Sequence, residues 1–198
     1  MRGMRAVVRG ISLIAGRGDA LILTGRNGVG KTTLLRAIAG FLPLAGGRVF
    51  LEGGGEDGAV GESCHYVGHL NGVKRSLTVT ETLQFYAKFL GGAPDRVDDA
   101  AARLGLGDLG NVPAGYLSAG QKRRLALARL ICAPRPVWLL DEPTVSLDVA
   151  SQALLASIVN EHLEAGGIVL AATHIAFGWT NMRPFDLERA ATMADEAA

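Results

Sequence analysis

The chain has 198 residues, enough for one domain with a substantial core and too few for two full ones. Lys and Arg number 20 against 19 Asp and Glu, so no net field attracts nucleic acid or an anionic bilayer, and generic nucleic-acid binding is disfavoured. The two cysteines, Cys64 and Cys132, make neither a metal-spaced pair nor a disulfide framework, and MRGMRAVVRG holds no apolar run of leader length; a reducing, cytoplasmic setting is expected.

In chain order, ALILT (20–24) reads as an apolar strand, GRNGVGKT as a glycine loop, and TTLLRAIAG as a helix whose Leu34, Leu35 and Ile38 share a face before Gly40 ends it. GRVFLEG reads as a short strand followed by a Gly-rich turn, and a further strand is expected near Cys64–Val67. In LTVTETLQFYAKFLGG, Thr78 lies three residues before Glu81 as in a capping box, and Gly91 with Gly92 supplies the stop. A second helix is expected over Asp95–Leu104 and a third from Ser118, so residues 72–133 form an all-helical insertion in an α/β chain.

PVWLLDEP is a continuous apolar run ending in two acids, as a central parallel strand meeting a loop would be. VASQALLASIVNEHLEAGG carries Leu155, Ile158, Val159, His162 and Leu163 at helical spacing with Gly166 at its end. The uncharged run from Ala165 to Met182 opens as a short buried strand, IVLAAT, rather than a membrane span. Beyond it the pattern is weak, and ATMADEAA reads as frayed.

GRNGVGKT fits the P-loop pattern G-x-x-x-x-G-K-[ST] between a strand and a helix. Gly25, Arg26, Asn27, Gly28, Val29 and Gly30 supply the backbone that wraps phosphates, Lys31 reaches the β and γ phosphates, Thr32 holds Mg²⁺, and Thr33 completes the nucleotide-binding run. Asp141 is placed to hold Mg²⁺ and Glu142 to orient or deprotonate the attacking water, because an apolar strand delivers both at its carboxyl end. His174 ends the next strand within reach of the same phosphate edge. In YLSAGQKRRLALARL, Ser118 at a helix N-cap leaves backbone N–H groups free for an anion, although a plain capped helix would read the same way.

Taken in order, GRNGVGKT, LSAGQ, WLLDEPTVSLD and AATH resemble the nucleotide-binding domain of ABC transporters over nearly the whole chain. That resemblance implies a P-loop NTPase core of mostly parallel strands (1–71 and 134–190), a small antiparallel β region and an all-helical signature subdomain (about 72–133). It implies a head-to-tail dimer, with itself or a paralogous subunit, in which Ser118, Gly120 and Gln121 face the γ-phosphate on the partner's P-loop. It makes Glu142 the catalytic base, His174 the switch histidine, Thr32 and Asp141 the Mg²⁺ residues, and Ser146, Leu147 and Asp148 the loop between the two sites.

Within the family, HYVGHLNGVKRSLTVTETLQFYA and LSAGQKRRLALARL are most similar to the ATP-binding subunit of the haem-export system of cytochrome c biogenesis. This implies ATP and Mg²⁺ as cofactors, a multispanning membrane subunit as partner, a haem chaperone as an indirect one, and a peripheral position on the cytoplasmic face of the inner membrane. Two departures stand out. His69 occupies the place of the family's Gln in the loop between core and helical lobe, which adds pH dependence to a contact with water or Mg²⁺.

The other is that no aromatic residue precedes Phe41 to stack on adenine; either the plane of Arg2 does so, or a first strand lies upstream of this start. Alternatives to haem handling are export of a lipid or drug, a soluble ABC-type mechanoprotein, and a module that closes on ATP without turnover. A GTPase is disfavoured because no N-K-x-D motif occurs.

Overall fold

Alternation along each central strand splits the apolar side chains between two cores. In the computed structural model, which describes residues 8–53, 60–173 and 178–196, strand β1 (Ala20–Thr24) turns Ala20 and Ile22 to one face and Leu21 and Leu23 to the other. Strand β3 (Val137–Asp141) does the same with Trp138 and Leu140 against Val137 and Leu139, and β4 (Ile168–Ala172) with Val169 and Ala171 against Leu170 and Ala172. Such runs are apolar on both faces because helices cover both. Helix α1 (Lys31–Ile38) covers one face with Leu35 and Ile38; helix α6 (Val149–Glu164) covers the other with Leu155, Ile158, Val159 and Leu163.

With β2 (Cys64–Val67) and β5 (Met182–Asp186) the sheet has five strands in the order β2-β3-β4-β1-β5, every pairing parallel. Asp141 and Leu23 both pair with Ala172, so the ends of β1 and β3 flank the end of β4, about 10 Å apart by strand spacing. The second core continues into helices α2 (Val79–Leu90), α3 (Arg96–Arg103), α4 (Ala119–Leu127) and α5 (Arg129–Cys132), which contribute Leu83, Tyr86, Val97, Leu125 and Leu130. The capping box on α2 forms: Thr78 accepts from the Glu81 N–H at 3.2 Å, and Glu81 accepts from the Thr78 N–H at 2.8 Å.

Two expectations are corrected. GRVFLEG forms no strand: residues 48–51 are irregular, Phe50 is 62% exposed with the Arg48 guanidinium over its ring, and the segment finds no pairing neighbour among the described residues. The expected antiparallel β region is accordingly absent among them, leaving one antiparallel bridge between Thr78 and Pro113.

The weakly patterned stretch after residue 178 forms β5 and helix α7 (Leu187–Glu196), so ATMADEAA, expected to be frayed, is helical over residues 191–196, and 197–198 lie outside the described residues. Strand β5 lies at the sheet edge with mostly exposed side chains, which removes the apolar signal and tolerates Pro184. Asp186 then caps α7 by accepting from the Glu188 and Arg189 N–H groups, each at 3.0 Å. Among the described residues no helix is long and apolar enough to cross a membrane.

Candidate active site

The loop between β1 and α1 turns through Gly25 at φ 127° and Gly30 at φ 115°, values that only glycine adopts without strain. A Cβ at Gly25 would also stand 3.1 Å from the Val29 side chain. Helix α1 therefore starts with no side-chain cap, and its free N–H groups face the loop as a ready anion site. Lys31, 8% exposed, folds back across this loop, its Nζ donating to the Gly25 and Arg26 carbonyls at 2.6 and 3.1 Å. Arg26 is itself pinned from α7: Glu188 Oε1 accepts from its backbone N–H at 2.7 Å and from its Nε at 2.9 Å.

Across the end of β4, Thr32 Oγ1 donates to Asp141 Oδ1 at 3.0 Å, and the Tyr66 hydroxyl from β2 donates to Asp141 Oδ2 at 3.2 Å. Burial first, and then the Asp141 carboxylate, push the Tyr66 phenol up to about 12, so it stays a donor at any physiological pH. Thr32 and Asp141 present hard oxygen donors at the cleft, a set that suits Mg²⁺ completed by phosphate and water. Ala172 ends β4 with a single methyl group and leaves room between the two sides; the cleft of about 400 Å³ is lined by Asn27, Gly28, Gly30, Lys31, Thr32, Thr33, Asp141, Glu142 and Ala172.

Glu142 follows β3 in the left-handed region at φ 48°, which costs a residue with a side chain roughly 1–3 kcal/mol. Its N–H donates to the Ala172 carbonyl at 2.8 Å, and its own carbonyl accepts from Arg123 Nη2 at 2.8 Å. Arg123, on α4, also donates to Pro143, Gly68 and Asn71. Burial first, and then neighbouring Arg129, bring its guanidinium down to about 10, still charged at neutral pH.

Ser118 and Gln121 form a reciprocal capping box on α4, with Ser118 Oγ accepting from the Gln121 N–H at 3.2 Å and Gln121 Oε1 from the Ser118 N–H at 2.8 Å. Gly120 lies where a Cβ would meet the Ser146 carbonyl at 3.1 Å, so the head of α4 packs on the Ser146–Asp148 loop. None of Ser118, Gly120 and Gln121 lines the cleft of its own chain. His69 is exposed just beyond β2 and outside that lining, and His174 lies outside the described residues, as does Arg2. Gly25, Arg26 and Val29 belong to the loop without lining the cleft.

The ABC transporter family matches residues 8–145 of this chain. The cytochrome c biogenesis ATP-binding export protein of Nitrobacter winogradskyi is 51% identical over 178 residues, spanning 90% of this chain and 89% of that one. The chain belongs to the ABC transporter family, among its cytochrome c biogenesis ATP-binding export proteins. The protein of the same description from Rhizobium meliloti is 47% identical over 195 residues, 94% of this chain and 92% of its own.

Among solved structures, an ABC-transporter ATP-binding protein from Pyrococcus furiosus matches with a TM-score of 0.77 and 25% identity, over 90% of this chain and 89% of its own. A dimeric ATP-binding cassette in a post-hydrolysis state with ADP and Pi matches with a TM-score of 0.75 at 22% identity, over 85% of this chain and 80% of its own, and shares the fold. As an ABC ATPase the chain binds ATP and ADP.

Three residues of this neighbourhood escape the sequence reading: Tyr66, Arg123 and Glu188. Arg123 alone left a trace, since positions 123, 127 and 130 recur at helical spacing as buried residues within a run that otherwise looks like a basic, solvated face.

Proposed function

We propose that the chain hydrolyses ATP in a head-to-tail dimer seated on a membrane subunit, and that this supports haem export or delivery in cytochrome c biogenesis. The observation that carries the ATPase chemistry is the convergence of Lys31, Thr32, Asp141 and Glu142 on one cleft, with Thr32 and Asp141 joined at 3.0 Å. Mg²⁺ held by Thr32 and Asp141 would neutralise charge on the bound phosphates. The P-loop N–H groups and Lys31 bind and orient those phosphates, while Glu142 orients a water and takes its proton. His174 is assigned to the same phosphate edge by its place after β4, and His69 to the loop that senses the membrane subunit.

Dimerisation is supported by the head of α4: Ser118, Gly120 and Gln121 do not line the chain's own cleft, so a phosphate bound at this helix start would be one held by another copy or paralogue. The haem assignment rests on the descriptions of the relatives and on the subgroup resemblance of the 65–87 and 117–130 segments. The peripheral position on the cytoplasmic face of the inner membrane, the membrane subunit and the indirect haem chaperone follow from it, as does the division into a core (1–71, 134–190) and a helical subdomain (about 72–133).

In the assembled complex, Glu142→Gln should abolish ATP turnover while leaving ATP binding within about twofold. Unchanged turnover would overturn the role of Glu142. Deleting the gene should abolish holo-cytochromes c, and normal levels of them would favour another exported substrate such as a lipid or drug.

A further inference from the structure

Arg123 is 1% exposed, and no part of nucleotide binding as described above requires it. A cation removed from water needs compensation, normally from a carboxylate. Here it receives four oxygens instead: Nε donates to the Pro143 carbonyl at 3.0 Å, Nη2 to the Glu142 carbonyl at 2.8 Å, and Nη1 to the Gly68 carbonyl at 2.6 Å and Asn71 Oδ1 at 3.2 Å. One edge of the planar group grips the residues just after β3 and the other grips the loop just after β2.

Glu142 needs such a grip, because its left-handed backbone is disfavoured for any residue with a side chain. The peptide on its N-terminal side is anchored by the bond to Ala172, and the one on its C-terminal side by Arg123. Those two peptides set the direction in which the Glu142 side chain leaves the backbone.

We propose that Arg123 is a positioning residue for hydrolysis: from α4 it holds the Glu142 peptide in its strained conformation and ties it to the Gly68–Asn71 loop that bears His69. The carboxylate is thereby aimed only when that loop and the signature helix are docked together. This rests on the reading of Glu142 as the base.

The test uses the assembled complex. Lys keeps the charge of Arg123 but presents one point where the planar fork meets four acceptors. Arg123→Lys is expected to lower kcat about tenfold or more while the KM for ATP and ATP binding stay within about twofold, the signature of a misaimed group. Asn71→Ala, which removes a single acceptor near the surface, is expected to lower kcat about threefold and to add little on top of Arg123→Lys.

An unchanged kcat in folded Arg123→Lys would overturn the proposal. So would losses in kcat, ATP binding and melting temperature that run in parallel, since those report only a packing role. Where Arg123→Lys does not fold, Asn71→Ala decides, and a kcat equal to wild type overturns the proposal. Glu142→Gln separates the two readings: retained turnover there removes the base assignment and this proposal with it, whereas abolished turnover beside an indifferent Arg123→Lys removes this proposal alone.

Discussion

At the residue scale, Asp141 is the hinge of the cleft, because its two oxygens serve different donors. Thr32 takes one and Tyr66 the other, so the carboxylate is held in place before any ligand arrives. Removing the Tyr66 hydroxyl frees one oxygen to turn. Tyr66→Phe is therefore expected to raise the Mg²⁺ concentration for half-maximal turnover several-fold, with kcat at saturating Mg²⁺ little changed; a metal titration of steady-state rates measures it, and an unaltered titration refutes it.

The P-loop was legible because its spacing carries the mechanism within a single turn of chain. Tyr66 and Arg123 were not, because their partners lie 75 and 55 positions away and only the fold of the sheet brings them together. The positive φ at Glu142 was illegible as well, since nothing in DEP marks it.

At the element scale, two helices begin with the same reciprocal cap, Thr78 with Glu81 and Ser118 with Gln121, yet the second starts beside the Ser146 carbonyl and is the one whose end is proposed above to meet a partner's phosphate. The first is a matter of stability. Thr78→Ala should cost about 1 kcal/mol, read as a shift in the urea midpoint, and should leave turnover unaffected. At the second, Ser118→Arg should leave ATP binding by the monomer intact and block ATP-dependent dimer closure, measured by size-exclusion with ATP present; a variant that still dimerises would refute the trans role of α4.

The buried strands were readable because both of their faces are apolar. Edge strand β5 was not, because its side chains face water, and residues 48–51 misled because a run of β-formers becomes a strand only where a neighbour pairs with it, which none does among the described residues.

At the scale of the whole molecule, two histidines are closed into the end of the sheet opposite the cleft. His65 on β2 donates from Nε2 to the Ala133 carbonyl, and His162 on α6 lies stacked on Trp138 with ring centroids 3.7 Å apart. Burial is the main cause that brings each from 6.5 to about 4, with Arg135 and Arg129 adding to it at His65. Between those values the unfolded chain binds more protons than the folded one, so stability is full above pH 6.5 and is lost as pH falls toward 4. The loss is at most about 1.4 kcal/mol per pH unit for each histidine. Urea midpoints at about pH 7.5 and about pH 5 should show the drop, and His162→Phe, which keeps a ring on Trp138, should make it shallower.

The carboxylate of Glu188 has a consequence for the order in which the protein matures. It grips Arg26 from 162 positions further along the chain, and β5, which flanks β1, precedes it directly. A ribosome delivers the phosphate loop 162 positions before its clamp. During that interval β1 presents an open edge to its surroundings, and the loop lacks the contact that fixes its second residue. The phosphate loop therefore gains this contact only after 162 further positions have been synthesised, although the motif itself has long since emerged.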